Sequence, residues 1–154
     1  MDFDDQLRTE SIEQAHPAEP VCVGPTTFVR EVFQLMKQAN TGSVLVCESD
    51  KLLGIFTERD ALRLMASGAE LDSPISNVMT KEPVCISVGD TVRSAISEMS
   101  IGGYRRLPIV DGSGRAVGIL KVSGILRYLV EHFPDVVYNL PPKPNHHTQH
   151  REGA

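Results

Sequence analysis

The chain contains two copies of one sequence unit, and this internal repeat limits the possible folds more than any other feature. Several residues recur unchanged 63 positions later: Pro20 and Pro83, Cys22 and Cys85, Val29 and Val92, Arg30 and Arg93, Met36 and Met99. The spacing becomes 64 by Gly54 and Gly118, because one residue has been gained in the turn at residues 111–114, where an insertion is tolerated. Each copy alone is too small to bury a sizeable core, so we expect the two to pack together.

Within each copy the pattern predicts the order strand, helix, strand, strand, helix. In the first copy a short strand at residues 21–23 precedes an apolar helical stripe at residues 28–36. Residues 43–47 form a continuous apolar run, as in a strand that is buried on both faces. Residues 52–56 then lead into a second helix, which Gly68 ends. The sequence therefore predicts an α/β (α+β) fold of two β-α-β-β-α units.

Prolines and polar stretches suggest the boundaries of the units. We predict an N-terminal segment at 1–16, a first unit at 17–69, a linker at 70–82, a second unit at 83–135 and a flexible tail at 136–154. The tail is rich in proline and polar residues and cannot bury enough apolar surface to become ordered. Its His146, His147 and His150 could bind a metal in principle, but a solvated tail is favoured because metal sites need fixed ligands, and no metal site is predicted.

Charge and composition exclude several classes of partner. The 154 residues carry a net charge of −5, which argues against a nucleic-acid polymer as partner. No apolar run is long enough to span a bilayer, and the acidic N-terminus does not resemble a signal peptide, so we expect a cytoplasmic protein without a membrane partner. The three cysteines have no metal-ligand spacing and lie in strand-like runs, which predicts buried thiols in a reducing compartment.

The stretch GIFTERD, residues 54–60, is the strongest candidate for a binding site. It joins a strand to a helix, and the free N–H groups and dipole at a helix start favour a phosphate. The Asp60 carboxylate could accept two hydrogen bonds from the hydroxyls of a ribose. Alternatively, Thr57 and Asp60 form a capping box that only stabilises the helix. Both roles can coexist at one helix start.

The repeat, this motif and the stretch GYRRLPIVD at residues 103–111 together resemble a pair of CBS domains, also called a Bateman module. The resemblance covers about residues 11–133. It implies that the two units pack through their sheets with pseudo-two-fold symmetry. Many family members bind adenosine ligands in the clefts between the units: AMP, ADP, ATP, S-adenosylmethionine or NAD. It also implies a homodimer.

The resemblance assigns a role to each residue of the candidate site. Asp60 would hold the ribose hydroxyls and Thr57 would contact the sugar or first phosphate. Thr41, Gly42 and Ser43 would border the adenine, with Ile55 against its face. Arg105 and Arg106 of the second copy would reach the phosphates, which suits the bidentate hydrogen bonds of arginine. The alternative for both is a pair of exposed arginines at a strand start.

The second copy departs from the motif. Lys121 stands where threonine is expected, and Gly124 where the aspartate should be. No carboxylate remains there to hold a ribose, so at most one nucleotide site per chain is predicted. Lys121 is either an ordinary surface lysine or a charge directed towards a ligand in the first cleft.

Two functions follow from this pattern. The first is a regulatory module that senses an adenine nucleotide and signals through a dimer surface or to an unidentified effector protein. The second is a ligand-free interaction module that only dimerises or docks a partner. An enzyme is not predicted, because the sequence has no nucleophile–base arrangement, no P-loop and no convincing metal set. No cofactor is required in either case.

Overall fold

The computed structural model describes residues 3–134, so the predicted tail at 136–154 lies outside the described residues. The strands are β1 (Cys22–Val23), β2 (Ser43–Glu48), β3 (Lys51–Thr57), β4 (Thr80–Lys81), β5 (Ile86–Ser87), β6 (Arg106–Val110) and β7 (Ala116–Lys121). The α-helices are α1 (Phe3–Thr9), α2 (Val29–Gln38), α3 (Glu58–Ser67), α4 (Val92–Gly102) and α5 (Val122–His132). Two short 3₁₀ helices lie at Ile12–Ala15 and Ile75–Asn77.

The predicted order β-α-β-β-α is confirmed in both units. The first sheet has the order β1-β2-β3-β4 and the second the order β5-β6-β7. In each, the first strand pairs in parallel with the second, and the second pairs antiparallel with the third. Val44, Leu45 and Val46 of β2 are fully buried, as the apolar run predicted. The helix α3 ends before Gly68, whose φ of 67° is the left-handed conformation that glycine adopts without strain.

The two sheets pack against each other through a small apolar cluster. Leu45 of β2 and Ile55 of β3 meet Ile119 of β7, and all three are at most 9% exposed. A larger core lies in each unit behind its own sheet, one around Val32 and Phe56 and the other around Leu107 and Tyr128. The fold is therefore the predicted pair of units packed through their sheets.

The segments ahead of the two units are exchanged between them. Ile12 and Ile75 lie 63 positions apart and begin the two 3₁₀ helices, but Ile12 is buried in the core of the second unit and Ile75 in that of the first. The isolated bridges Ser11–Thr91 and Phe28–Pro74 mark the same crossing. Residues that we assigned to an N-terminal segment and a linker thus contribute to the two cores. The repeat extends further towards the N-terminus than the identities from Pro20 onwards indicate.

The prediction of buried thiols is wrong for two of the three cysteines. Cys22 and Cys85 are exposed, and Cys47 is half-buried. Cys22 and Cys85 lie in or next to the short strands at the edges of the two sheets, where one face of the strand is open to solvent.

Candidate functional site

A cleft with a volume of about 960 Å³ lies between the two units. One wall is the end of β3 and the start of α3, including Thr57 and Asp60. The facing wall comes from the second unit, from residues 103–106 ahead of and within β6 and from Lys121 at the end of β7. Ile55, Thr57, Asp60, Arg105 and Arg106, five of the eight predicted site residues, line this cleft.

The capping box predicted as an alternative is present at the start of α3. The Thr57 backbone N–H donates to Oδ2 of Asp60 at 3.0 Å, and the Asp60 backbone N–H donates to Oγ1 of Thr57 at 3.4 Å. The Thr57 hydroxyl also donates to Oδ2, at 3.2 Å. Among the described residues, Oδ1 of Asp60 makes no hydrogen bond. The carboxylate is therefore held in place through Oδ2 at the edge of a cleft that Asp60 lines.

Two cations stand side by side on the facing wall. Arg106 of β6 pairs with Lys121 of β7, and the corresponding pair in the first unit is Ser43 with Thr57. Like charges directly opposite each other on neighbouring strands repel. A bound anion would relieve that repulsion, so the wall is suited to a phosphate.

Arg106 is the most constrained of these cations. Its guanidinium lies 3.7 Å from Oε1 of Glu58 across the cleft, and its Nε is buried without a partner among the described residues. The Glu58 side chain is 67% exposed, so water screens this ion pair and it contributes little to stability. Arg106 is therefore not committed to a strong partner among the described residues, and the exposed part of its guanidinium is available at the cleft.

The cleft carries an excess of positive charge although the whole chain is acidic. Five cations and three carboxylates line it: Arg59, Arg63, Arg105, Arg106, Lys121, Glu58, Asp60 and Glu82. The chain as a whole has a net charge of −5. The local field thus favours a small anion over the cations that the rest of the surface attracts.

Three predicted site residues do not line the cleft: Thr41, Gly42 and Ser43. Thr41 and Ser43 are joined by a hydrogen bond, in which the Thr41 hydroxyl donates to the Ser43 carbonyl at 3.0 Å. Gly42 is covered, because a Cβ atom there would overlap the side chains of Glu58 and Arg106. Their repeat equivalents 63 positions later, residues 104–106, take the place at the cleft instead.

The sequence analysis missed several residues of the first cleft. Thr80, Glu82, Pro83 and Val84 line it from the end of the segment that we treated as a linker and from the start of the second unit. Tyr104 lines it as well, with an exposed ring that could contact a base. The repeat could have predicted these residues. Its pseudo-two-fold symmetry brings the start of the second copy next to the motif of the first copy.

The departure of the second motif coincides with a close backbone contact at Gly124. A Cβ atom at Gly124 would overlap the carbonyl oxygen of Ala15 in the exchanged N-terminal segment. Gly124 lies 64 positions after Asp60, so this backbone contact leaves no room for an aspartate in the second copy. Lys121 lines the cleft at Asp60, which places its charge within the same cavity as Arg106.

Residues 3–134 contain neither a candidate membrane-spanning helix nor a candidate metal-binding cluster. No helix there is both long and apolar enough to cross a membrane. No group of three or more His, Cys, Asp or Glu side chains in that part of the chain is placed to hold a metal ion.

Comparison with known proteins agrees with the architecture. The family model of the CBS domain matches twice, at residues 12–67 and 75–131. A CBS domain-containing protein of Bacillus subtilis, YhcV, is 34% identical over 116 residues, which cover 75% of this chain and 82% of that protein.

Two solved structures share the fold. One is a CBS domain protein from Pyrobaculum aerophilum, complexed with AMP, with a TM-score of 0.70 and 22% sequence identity. The superposition covers 83% of this chain and 96% of that protein's chain. The other is a CBS domain pair in complex with 5′-methylthioadenosine and S-adenosyl-L-methionine, with a TM-score of 0.69 and 21% sequence identity. The superposition covers 76% of this chain and 97% of that protein's chain. With two matched domains that together span most of its length, the chain belongs to the CBS domain family, as a tandem pair.

Proposed function

We propose that the chain is a regulatory module that binds an adenosine nucleotide of the AMP, ADP or ATP class in the cleft at Asp60. The observation that carries this proposal is the arrangement of opposite chemistries across one cleft. An anchored carboxylate at Asp60 faces the adjacent cations Arg106 and Lys121. A ribose hydroxyl pair matches the first, and a phosphate matches the second.

The size of the cleft and the ligands of related structures support the same class of ligand. A volume of about 960 Å³ lies within the range of small-molecule sites, roughly 300–1,000 Å³. Two proteins of the same fold were solved with AMP or with S-adenosyl-L-methionine and 5′-methylthioadenosine. All three ligands contain adenosine. S-adenosylmethionine has a sulfonium group and no phosphate beside its ribose, so the paired cations disfavour it. NAD carries a pyrophosphate there and suits the paired cations as AMP, ADP and ATP do.

Binding would change the state of the module through Arg106. A phosphate at the cleft competes with Glu58 for this guanidinium, which links the two units. Such a ligand signals only if it binds two arrangements of the units with different affinity. We propose that the readout is a dimer surface or an effector protein, that the module regulates rather than catalyses, and that it works in the cytoplasm.

A second candidate function is an interaction module, with or without a ligand. Leu62 and Met65 on α3 are 64% and 57% exposed, and Leu126 on α5, the repeat equivalent of Leu62, is 56% exposed. The helix α3 has no buried residue at all. Exposed apolar side chains at equivalent positions on two helices favour a homodimer or a docked partner.

Calorimetric titration of the purified full chain tests the first proposal. AMP should bind more tightly than adenosine, because only AMP can engage the paired cations, and GMP should bind more weakly than AMP. Arg106→Gln should reduce the preference for AMP over adenosine, with Lys121 still in place, whereas Arg115→Gln, which removes an exposed arginine outside the cleft, should not. Absence of binding by both AMP and adenosine would contradict the proposal and favour the interaction module.

A further inference from the structure

Two thiols lie side by side on the first sheet, away from the nucleotide cleft. The sulfur atoms of Cys22 on β1 and Cys47 on β2 are 3.8 Å apart. Cys22 pairs with Leu45 in the parallel register. Cys47 lies two residues beyond Leu45 and packs against the same apolar cluster as Leu45. A disulfide bond has a sulfur separation of about 2.05 Å, so closure requires a modest shift.

The strand that carries Cys22 is free to make this shift. β1 has only two residues and forms the edge of its sheet, so its backbone is held on one side alone. Cys47 is the fixed member of the pair, since it packs against the apolar cluster that joins the two sheets. β1 is already hydrogen-bonded to β2, so the sulfur atoms approach through a change in the Cys22 side chain and its local backbone, which leaves that cluster in place.

The two thiols differ in their exposure. Cys22 is exposed, whereas Cys47 is half-buried. Burial, followed by the neighbouring Cys22 sulfur, raises the pKa of Cys47 to about 12. The thiolate is the reactive form, so Cys22 is the thiol that meets an external reagent first. Once Cys22 is bonded to another sulfur it no longer contributes a negative charge beside Cys47.

We propose that Cys22 and Cys47 form an oxidation site that closes into an intramolecular disulfide on reaction with a low-molecular-weight disulfide such as oxidised glutathione. The Cys22 thiolate attacks one sulfur of the reagent, forming a mixed disulfide and releasing one glutathione thiolate. Cys47 loses its proton to solvent and attacks the Cys22 sulfur, which releases the second glutathione. The two cysteines lose two electrons and two protons, and the reagent leaves as two thiols.

The second unit provides a natural control for this site. Cys85 is the repeat equivalent of Cys22, and it too is exposed, next to the edge strand β5. The residue at the position of Cys47 is Val110, which lies in β6 and pairs with Ser87 of β5. The same strand pair therefore exists in this molecule with one thiol instead of two. Cys85 should react with the reagent without forming an internal bridge.

Closure would tie the edge strand β1 to β2 and enclose the helix α2 between the two cysteines. Cross-linking restricts the unfolded chain, so the oxidised protein should unfold at a higher temperature than the reduced protein. This consequence is independent of any nucleotide, since neither cysteine lines the cleft.

The test is a count of free thiols in the full chain after treatment with oxidised glutathione and removal of the reagent. Alkylation under denaturing conditions and peptide mass spectrometry should identify a peptide pair joined through Cys22 and Cys47, with the mass of two hydrogen atoms lost. Cys85 should be found free or carrying glutathione. The variant Cys47→Val reproduces the second unit, so its Cys22 should carry glutathione and form no internal bridge.

Three results would overturn the proposal. One is Cys22 and Cys47 both unlinked after the treatment, with Cys22 stably glutathionylated in the wild-type chain. Another is a bridge that involves Cys85. The third is a dimer linked through Cys22 on non-reducing electrophoresis in place of the internal bridge. As a control for folding, the reduced wild-type and Cys47→Val proteins should have similar unfolding midpoints.

Discussion

Gly124 lies directly beneath the carbonyl oxygen of Ala15, so close that a Cβ atom at Gly124 would overlap it. Ala15 belongs to the segment that crosses from the first copy to the second unit. In this conformation the second copy has no space for the side chain that Asp60 provides in the first.

Gly124→Ala should therefore destabilise the protein although alanine favours a helix. Overpacking against backbone costs about 1–3 kcal/mol, which exceeds the gain of about 1 kcal/mol from replacing glycine within a helix. The measurement is the free energy of unfolding in urea. Gly89→Ala is the matched control, since a Cβ atom there meets nothing within 4 Å. Equal stability of the Gly124 variant and the wild type would contradict the close contact.

Glu58→Gln should strengthen the binding of a phosphate ligand. The change frees Arg106 from its partner at 3.7 Å and removes a negative charge from the cleft. Because Glu58 is 67% exposed, the effect should be small, about 0.2–1 kcal/mol, or up to about fivefold in affinity. Titration with AMP should show the gain, and titration with adenosine should not.

The control for this prediction is Glu98→Gln, an exposed glutamate on α4 outside the cleft. It changes the net charge of the chain by the same amount. An equal gain in both variants would mean that net charge rather than the Arg106 contact is responsible. Weaker AMP binding by Glu58→Gln would show that Glu58 holds the ligand.

The turn between β2 and β3 should be open to stabilisation. Ser49 and Asp50 have φ values of 52° and 66°, both in the left-handed region, as in a type I′ hairpin turn. Asn-Gly is the preferred pair for this turn, so the double variant Ser49→Asn, Asp50→Gly should gain about 0.5–1 kcal/mol. Thermal unfolding measures the gain.

Gly114, in the corresponding turn of the second unit, provides a control in which the removal of a glycine should lower the stability. Its φ is 80°, so Gly114→Ala should lower the unfolding midpoint. A double variant in the first turn that melts below the wild type would contradict the left-handed backbone conformation of Ser49 and Asp50.

Stability should depend on the ionisation of Asp111. Backbone hydrogen bonds from Arg115 and then Ser113 lower the pKa of Asp111 below its usual value of 3.8. A lowered pKa means that the folded chain prefers the charged form. The stabilisation is present above the usual pKa and is lost as the pH falls through the lowered value.

Asp111→Asn should accordingly melt below the wild type at about pH 7, and the difference should shrink as the pH falls below about 4. Thermal unfolding across this range is the measurement. The asparagine can still accept from the N–H groups of Ser113 and Arg115, so the variant tests the charge rather than the turn. A difference in midpoint that stays constant with pH would contradict the assignment.

The sequence predicted the strand and helix order because both copies carry it, and each copy supports the interpretation of the other. The strand buried on both faces and the helix that Gly68 ends could be identified from apolar pattern and turn chemistry alone. These are local properties, and the pairing of Thr57 with Asp60 is local as well, so the capping box could be predicted.

Arg105 and Arg106 on the facing wall were predicted from the family resemblance and not from a local pattern. Residues 41–43 and 104–106 are repeat equivalents, and the sequence offers both for a place beside Asp60. The symmetry of the packed units decides between them, and it selects the second copy. The exchange of the leading segments was missed for a similar reason, since Ile12 and Ile75 give no local sign of the unit in which each is buried.

The central claim is that the Asp60 carboxylate holds a nucleotide as well as capping α3. The variant Asp60→Asn separates these roles, because asparagine keeps one acceptor oxygen for the Thr57 N–H but loses the charge and the second acceptor. Asp90→Asn is the matched control. Asp90 also accepts a backbone N–H, from Ser87 at 2.8 Å, and it does not line the cleft.

The most direct measurement is the thermal unfolding midpoint of the three proteins with and without AMP. A ligand at a hundred times its dissociation constant adds about 2.7 kcal/mol, which should raise the midpoint of the wild type and of Asp90→Asn by roughly 5–10 °C. Asp60→Asn should melt close to the wild type without AMP and show no shift with it. A full shift in Asp60→Asn, or none in the wild type, would contradict the account.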